Sequence, residues 1–196
     1  MAAATSRIRL GTAVIATLTR SLALLAMAAV TLADLSSGRF VLGLGVGSHA
    51  VAGWHGREFP ARPRTAVVRV VSDVRAALAG ERLPEWGGFR LTGIEPRPDV
   101  RIFVSAMNEQ MLRAAGRVVV NFCSAERAGR LVPLVGSARA AVGRTAPFEF
   151  VANPWAQAGT DAEPAQRRLR WEVAADFAQR LAAFRALEST PSGSSR

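Results

Sequence analysis

The sequence predicts an α/β fold built around a sheet of parallel strands. Short, nearly continuous apolar segments, typical of strands buried on both faces, alternate with segments of helical periodicity. Five such strands are each followed by a helix. The 196 residues, with 49% hydrophobic side chains, are enough for one domain with a full core or for a small two-domain protein. An open doubly wound sheet and a (β/α)8 barrel both fit this alternation, although five units are too few to close a barrel.

The first half of the chain contains two strands and two helices. An apolar, β-branched segment predicts a strand at residues 8–15, and residues 39–45 form a second strand that ends in glycines. Between them, residues 21–34 are apolar almost all round, which predicts a buried helix. Residues 48–63 are rich in Gly and Pro and read as a long loop. A helix over 64–79, ended by Gly80, is predicted by helical spacing of Val67, Val71, Val74 and Leu78.

The second half repeats the pattern after three prolines and a short strand candidate, FRLTG, within 84–98. Strands are predicted at 101–106, 117–122 and 148–152. A helix with Asn108 as N-cap is predicted at 108–116, and another at 124–143, where Pro133 is expected to introduce a kink. A third helix is predicted after a capping box formed by Thr160 and Glu163. Residues 189–196 form a polar tail that is predicted to be disordered.

Composition and charge exclude several classes of protein. One cysteine, Cys123, excludes an internal disulfide framework, and with only His49 and His55 no metal site is predicted. The net charge of +10 comes from 25 arginines, and lysine is absent. Because these arginines are scattered and not interleaved with aromatic residues, we predict no nucleic-acid partner. A secreted or nucleic-acid-binding basic protein remains the alternative from another class.

The first 33 residues imitate a targeting segment. They carry arginines, many small residues and an apolar stretch at 21–33, but that stretch is shorter than the ~20 residues that span a bilayer. The strand, helix and second strand predicted here are not what a signal peptide would show. We therefore predict a cytoplasmic protein without a membrane partner.

Gly43, Gly45 and Gly47 end the second strand, in the segment GLGVGS. Their spacing departs from the dinucleotide-binding pattern GxGxxG, no helix is predicted directly after them, and a chain without lysine has no P-loop. Two interpretations stay open: a neighbouring segment packs closely here, or the missing side chains let a flat ring or phosphate lie against the backbone. Nearby, His49 is expected to face solvent or be structurally bonded, with proton donation as the alternative. Trp54 is expected to pack within the loop, with covering of a cleft as the alternative.

Three consecutive motifs and a fourth further on carry a resemblance to a known family. RIRLGTAVIATLTR, DLSSGRFVLGLGVGS and GWHGREFPARPRT, followed by RIFVSAMNEQMLRAAG, resemble the luciferase-like monooxygenase superfamily, in particular its flavin- and deazaflavin-dependent oxidoreductases. The resemblance implies a partial (β/α)8 TIM-type barrel over residues 1–188, with about five of eight parallel strands and an excursion at 54–98. The predicted strands would be the third to the seventh, and the chain would be truncated at both ends.

The resemblance also implies a cofactor, FMN or the deazaflavin coenzyme F420, acting on a small organic substrate. A non-prolyl cis peptide in relatives would correspond to Ala13–Val14, and the cofactor-binding residues carried over are Ala13, Val14, Gly45, Val46, Gly47, Ser48, Met107, Asn108, Gln110 and Met111. No catalytic residue is assigned. Ser48 replaces the catalytic glutamate of the family's sugar-phosphate dehydrogenases, which argues against that activity.

Two further expectations follow from the missing units. We expect little turnover, so that an inactive remnant of such an enzyme is the alternative function. We also expect self-association into a homo-oligomer through exposed sheet edges.

Overall fold

The computed structural model describes residues 1–106, 111, 117–121, 125–141, 143 and 149–153. Two compact units divide the chain, Met1–Val119 and Val120–Arg196. The strands are β1 (Leu10–Gly11), β2 (Ile15–Ala16), β3 (Phe40–Gly45), β4 (Arg101–Ser105), β5 (Val118–Asn121) and β6 (Phe150–Asn153). The helices are α1 (Leu22–Leu35), α2 (His49–Trp54), α3 (Pro63–Leu78) and α4 (Ala125–Ala140), with 3-10 turns at Thr17–Thr19 and Pro84–Trp86.

The strands form one sheet in the order β1-β3-β4-β5-β6, with β2 also paired to β3. Pairing is parallel from β1 and β2 to β3, from β3 to β4 and from β4 to β5. Strand β3 is therefore flanked on both sides, and Leu42 and Leu44 are almost completely buried. Burying a side chain of this size stabilises the fold by about 1.5–3 kcal/mol. The predicted parallel α/β architecture, with five strands in sequence order, is confirmed.

Helix α1 begins after Ser21, whose hydroxyl accepts a hydrogen bond from the backbone N–H of Leu24 at 3.2 Å. It ends where Gly38 adopts a φ of 76° and its N–H donates to the carbonyl oxygen of Ala33 at 2.8 Å. One face contacts β3 and α3 through buried Leu22, Leu25, Ala26, Ala29, Val30 and Ala33. The prediction of a helix buried all round is wrong, because within the described residues the opposite face has no covering partner.

Helix α3 matches its predicted range to within one residue. Pro63 occupies the first turn, where its missing N–H costs nothing, and Gly80 follows the last turn with a φ of 82°. The apolar residues at helical spacing form its inner face, which contacts α1 and β3: Val67, Val71, Val74 and Leu78.

The segment between β3 and β4 differs from the prediction in two places. Residues 49–54 form the short helix α2 where a loop was predicted, and residues 89–93 (FRLTG) form no strand. Instead, Leu83 and Phe89 make an isolated antiparallel bridge, with the N–H of Leu83 donating to the carbonyl oxygen of Phe89 at 2.8 Å. The indole N–H of Trp86 donates to the carboxylate of Asp73 on α3 at 2.8 Å, which ties this small loop to the helix.

Arg97 links three segments next to the amino-terminal ends of β3 and β4. Its guanidinium pairs with Asp34 near the end of α1 and with Asp99 just before β4, at 2.9 Å between Nε and Oδ1 for Asp99. Its backbone N–H donates to the carbonyl oxygen of Leu78 at 2.7 Å. The hydrogen bonds from Arg97 hold the pKa of Asp99 below its ordinary value, and the same pairing raises the pKa of Arg97.

In the second unit the structure describes the end of β5, α4 and β6. Pro133 lies inside α4, and Glu126 pairs with Arg130 one turn on, at 2.6 Å. The predicted strands at 117–122 and 148–152 appear as β5 and β6. The helix predicted at 108–116 is described only at Met111, which is helical, and the helix after Thr160 and the 189–196 tail lie outside the described residues.

Candidate functional site

The first predicted strand is interrupted by a bulge. Gly11 lies opposite Val41 and Ile15 opposite Leu44, so four steps along the first segment match three steps along β3. One extra residue is therefore accommodated at residues 12–14, between β1 and β2. The prediction of a continuous strand over 8–15 is wrong here, because an apolar, β-branched run reads the same with or without an inserted residue.

Thr12 supplies the hydrogen bonds to β3 that the bulge interrupts. Its backbone N–H donates to the carbonyl oxygen of Val41 at 3.3 Å. Its hydroxyl donates to the carbonyl oxygen of Gly43 and accepts from the N–H of Gly43, each at 2.9 Å. One side chain thus satisfies both backbone groups of a buried strand residue that the bulge has moved out of reach of a backbone partner.

The bulge explains two of the three glycines in GLGVGS. A Cβ at Gly43 would lie 1.9 Å from the carbonyl oxygen of Thr12, and one at Gly45 would lie 2.7 Å from Cγ2 of Val14. No side chain fits at either position without moving the bulge. Of the two interpretations of these glycines, close packing of a neighbouring segment is confirmed for Gly43 and Gly45.

The outer part of the bulge is accessible. Ala13 is exposed and Val14 is half-buried, and the peptide bond between them is cis, at the position that the family resemblance implied. The two side chains are small and apolar. They lie beside the carboxyl half of β3, which is the end of a parallel sheet where ligands bind in α/β proteins.

Beyond β3 the chain turns directly into α2. Gly47 has a φ of 84°, and a Cβ there would lie 2.9 Å from Cβ of Ala16. Ser48 is the N-cap of α2, and its hydroxyl accepts from the N–H of Val51 at 3.3 Å. The expectation that no helix follows the glycines is therefore wrong. Val46, Gly47 and Ser48 thus lie at the same carboxyl-terminal end of the sheet as the bulge.

Ser105 was not predicted as a site residue. It is the last residue of β4, is half-buried, and its Cβ lies 3.1 Å from where a Cβ of Gly45 would be. No sequence pattern singled it out, since it is simply the hydroxyl residue that ends the strand RIFVS. Of the residues predicted in the next segment, Met107, Asn108 and Gln110 lie outside the described residues, whereas Met111 is buried.

Aromatic side chains follow β3 at His49, Trp54 and Phe59. The ring of His49 stacks on that of Phe59, with centroids 4.2 Å apart and an angle of 32° between the rings. Trp54 is 79% exposed, so the expectation that it packs within the loop is wrong. In the part of the chain that the structure describes, no cluster of His, Cys, Asp and Glu could hold a metal ion, and no helix has the length and hydropathy to cross a membrane.

Comparison with known proteins gives one family. Residues 1–194 match the family model described as luciferase-like monooxygenase. A Mycobacterium tuberculosis protein named as a coenzyme F420-dependent oxidoreductase is 46% identical over 78 residues, which are 39% of this chain and 22% of that protein. The 5,10-methylenetetrahydromethanopterin reductase of Methanolobus tindarius is 32% identical over 120 residues, 58% of this chain and 36% of that protein.

Solved structures agree in fold. The F420-dependent tetrahydromethanopterin reductase of Methanopyrus kandleri has a TM-score of 0.64 at 24% identity, covering 77% of this chain and 51% of that chain. The monooxygenase RslO1 of Streptomyces bottropensis has a TM-score of 0.65 at 22% identity, covering 96% and 60%. This chain thus spans less than two thirds of the relatives that it matches.

Proposed function

The chain belongs to the luciferase-like monooxygenase family, and from this premise we propose that it binds a deazaflavin or flavin and takes part in oxidoreduction of a small organic substrate. Coenzyme F420 is the first candidate, because the relative with 46% identity over 78 residues is named for that coenzyme. FMN is the second candidate, since a structural neighbour of 18% identity and TM-score 0.59 was solved with FMN bound.

The accessible bulge at residues 12–14 carries this proposal. A flat ring needs an apolar surface without long side chains, and Ala13 and Val14 provide one. On the side of the bulge that faces β3, residues 43 and 45 are glycines, and a side chain at either position would collide with the bulge. The residues present therefore fit a ring system lying against the bulge.

The chain's own part in such a reaction is to position the ring. When bound, the cofactor supplies hydride transfer to or from the substrate, or oxygenation if it is a flavin. Thr12 holds the bulge through its two hydrogen bonds to Gly43, and Val46, Gly47 and Ser105 lie at the same carboxyl-terminal end of the sheet. A fixed surface of this kind lowers the entropic cost of bringing ring and substrate together.

We further propose that residues 107–111 bind the phosphorylated tail of the cofactor. The reason comes from the sequence: a helix is predicted to start at Asn108, and the backbone amides at a helix start favour an anion. Ser48 is not proposed as a proton carrier, because its hydroxyl caps α2 and does not ionise near neutral pH. For that reason sugar-phosphate dehydrogenation is not proposed either.

A cytoplasmic location is part of the proposal. Leu10–Gly11, Ile15–Ala16 and Leu22–Leu35 form β1, β2 and α1, and the buried face of α1 contacts β3. This supports a structural role for the segment that imitates a targeting signal.

The proposal is tested by titrating the purified protein separately with F420 and with FMN, following cofactor fluorescence. We expect saturable binding of one of them. Turnover is then measured with the reduced cofactor and a panel of ketones and imines, and with the oxidised cofactor and a panel of alcohols. Absence of saturable binding for both cofactors would overturn the proposal. A strongly salt-dependent shift of duplex DNA would instead favour a basic nucleic-acid-binding protein.

A further inference from the structure

The side chain of Ser105 lies next to the bulge. A Cβ at Gly45 would be 2.7 Å from Cγ2 of Val14 and 3.1 Å from Cβ of Ser105, so both side chains border the space that this glycine leaves. Strand β4, which ends at Ser105, pairs with β3 on the side away from β1. A hydroxyl group is therefore placed beside the apolar surface of the bulge.

This hydroxyl makes no hydrogen bond to any residue that the structure describes, although Ser105 is half-buried. The other two hydroxyls at residues 12–14 and 46–48 are engaged, since that of Thr12 bonds both backbone groups of Gly43 and that of Ser48 caps α2. Covering a hydroxyl without giving it a partner costs free energy. A ligand that lies over Ser105 is therefore favoured if it offers a polar atom there.

The shape of the sheet indicates in which direction a ring extends from the bulge. Ala13 and Val14 are two small side chains, and they cover less area than a tricyclic ring. In the described part of the sheet, β1 and β2 pair only with β3, whereas β3 also pairs with β4. A ring that extends toward β4 stays in contact with the sheet and reaches Ser105, and a ring that extends the other way does not.

We propose that the hydroxyl of Ser105 hydrogen-bonds the polar edge of the cofactor ring and thereby sets how the ring lies across the bulge. This inference rests on the proposed function. Flavins and deazaflavins share a pyrimidinedione edge with two carbonyl oxygens and an N–H group, and a serine hydroxyl both donates and accepts hydrogen bonds. Ala13 and Val14 contact the face of the ring, and Ser105 bonds its edge.

The first test compares the parent protein with Ser105→Ala by titration with F420 and with FMN, following cofactor fluorescence and absorption. Loss of one hydrogen bond should raise the dissociation constant roughly three- to tenfold and shift the long-wavelength absorption maximum of the bound cofactor. Ser72→Ala, at an exposed serine on α3, is the matched control and should change neither. Equal constants and spectra for the parent and Ser105→Ala would overturn this inference alone, whereas a parent that binds neither cofactor would overturn the proposed function as well.

The second test identifies the part of the cofactor that the hydroxyl bonds. Riboflavin, and the deazaflavin without its phosphorylated tail, keep the ring but lack the phosphate. We expect Ser105→Ala to raise the dissociation constant of the tail-free compound by the same factor as that of the complete cofactor. An effect that disappears without the phosphate would assign Ser105 to the tail and contradict the proposal.

The stability of the cofactor-free protein gives an independent check. Because the hydroxyl has no partner among the described residues, Ser105→Ala should unfold at nearly the same temperature as the parent. A marked fall in this temperature would show that the hydroxyl supports the fold itself, and the assignment of Ser105 to the cofactor would then be wrong.

Discussion

The hydroxyl of Thr12 holds both backbone polar groups of Gly43, donating to the carbonyl oxygen and accepting from the N–H at 2.9 Å each. The carbonyl oxygen of Thr12 in turn occupies the space of the missing Gly43 side chain. The two residues therefore depend on one another. This pair fixes the bulge that carries the candidate cofactor surface.

Replacing Thr12 by valine keeps the shape of the side chain but removes both hydrogen bonds. Two polar groups of buried Gly43 lose their partner, so we expect the free energy of unfolding to fall by about 2 kcal/mol. Thr12→Ser keeps the hydroxyl and should therefore retain most of this free energy of unfolding. Urea denaturation measures the loss, with Thr65→Val on the exposed side of α3 as control, and equal stability of the two valine variants would refute the assignment.

Gly43→Ala should be among the most damaging single substitutions in the first unit. Its Cβ would lie 1.9 Å from a backbone oxygen, which cannot rotate away, so we expect a loss of about 3 kcal/mol or more. Gly53→Ala in α2 is the control, because nothing lies within 4 Å of its Cβ position and alanine favours a helix by about 0.5–1 kcal/mol. Thermal unfolding should order the proteins as Gly53→Ala, parent, Gly43→Ala, and a Gly43→Ala protein as stable as the parent would contradict this geometry.

Ala13→Phe tests the position of the ring and rests on the proposed function. The side chain is exposed, so the substitution should leave stability unchanged while filling the space against the bulge. We expect affinity for the cofactor to fall at least about tenfold. Fluorescence titration measures this, with Ala4→Phe, at another exposed alanine, as control, and unchanged affinity of Ala13→Phe would move the ring away from the bulge.

Asp99→Asn should change how stability depends on pH. Because Arg97 holds the pKa of Asp99 below that of the unfolded chain, near 3.9, the pair stabilises the fold above that pH and the contribution is lost as pH falls through the lowered pKa. We expect a loss of only about 0.5 kcal/mol at pH 7, since the side chain of Asp99 is 57% exposed, and none in strong acid.

Chemical denaturation at a series of pH values measures this difference for Asp99→Asn. Glu58→Gln, at an exposed carboxylate, is the matched control and should show little change at any pH. A difference between parent and Asp99→Asn that grows on acidification would reverse the sign and refute the assignment.

Helices α1 and α3 were predictable because their signals are local, whereas the short helix α2 was predicted as a loop. Ser21 and Gly38 bracket α1, and Pro63 and Gly80 bracket α3, each through backbone geometry within one turn. What could not be predicted from composition is exposure. An apolar helix face looks the same in the sequence whether the chain covers it or not, as exposed Leu24, Met27 and Leu35 of α1 show.

The candidate site was predictable only in part, for a different reason. Local patterns alone could not decide what the glycines of GLGVGS make room for, because the answer lies about thirty residues earlier, in the bulge at residues 12–14. The family resemblance supplied the position of the cis bond, which the structure confirms. Neither pattern nor resemblance pointed to Ser105, whose proximity to Gly45 arises only when β3 and β4 pair.

The small loop closed by Leu83 and Phe89 is a suitable place to substitute another peptide. Its turn is bonded within itself, with the N–H groups of Trp86 and Gly88 both donating to the carbonyl of Leu83, at 3.1 and 3.0 Å. The Trp86–Asp73 hydrogen bond and the Arg69–Glu85 ion pair join it to α3. If a foreign peptide replaced residues 84–88, its two ends would be held together by the Leu83–Phe89 bridge. We therefore expect that epitopes or reporter tags can be inserted there without changing the sheet.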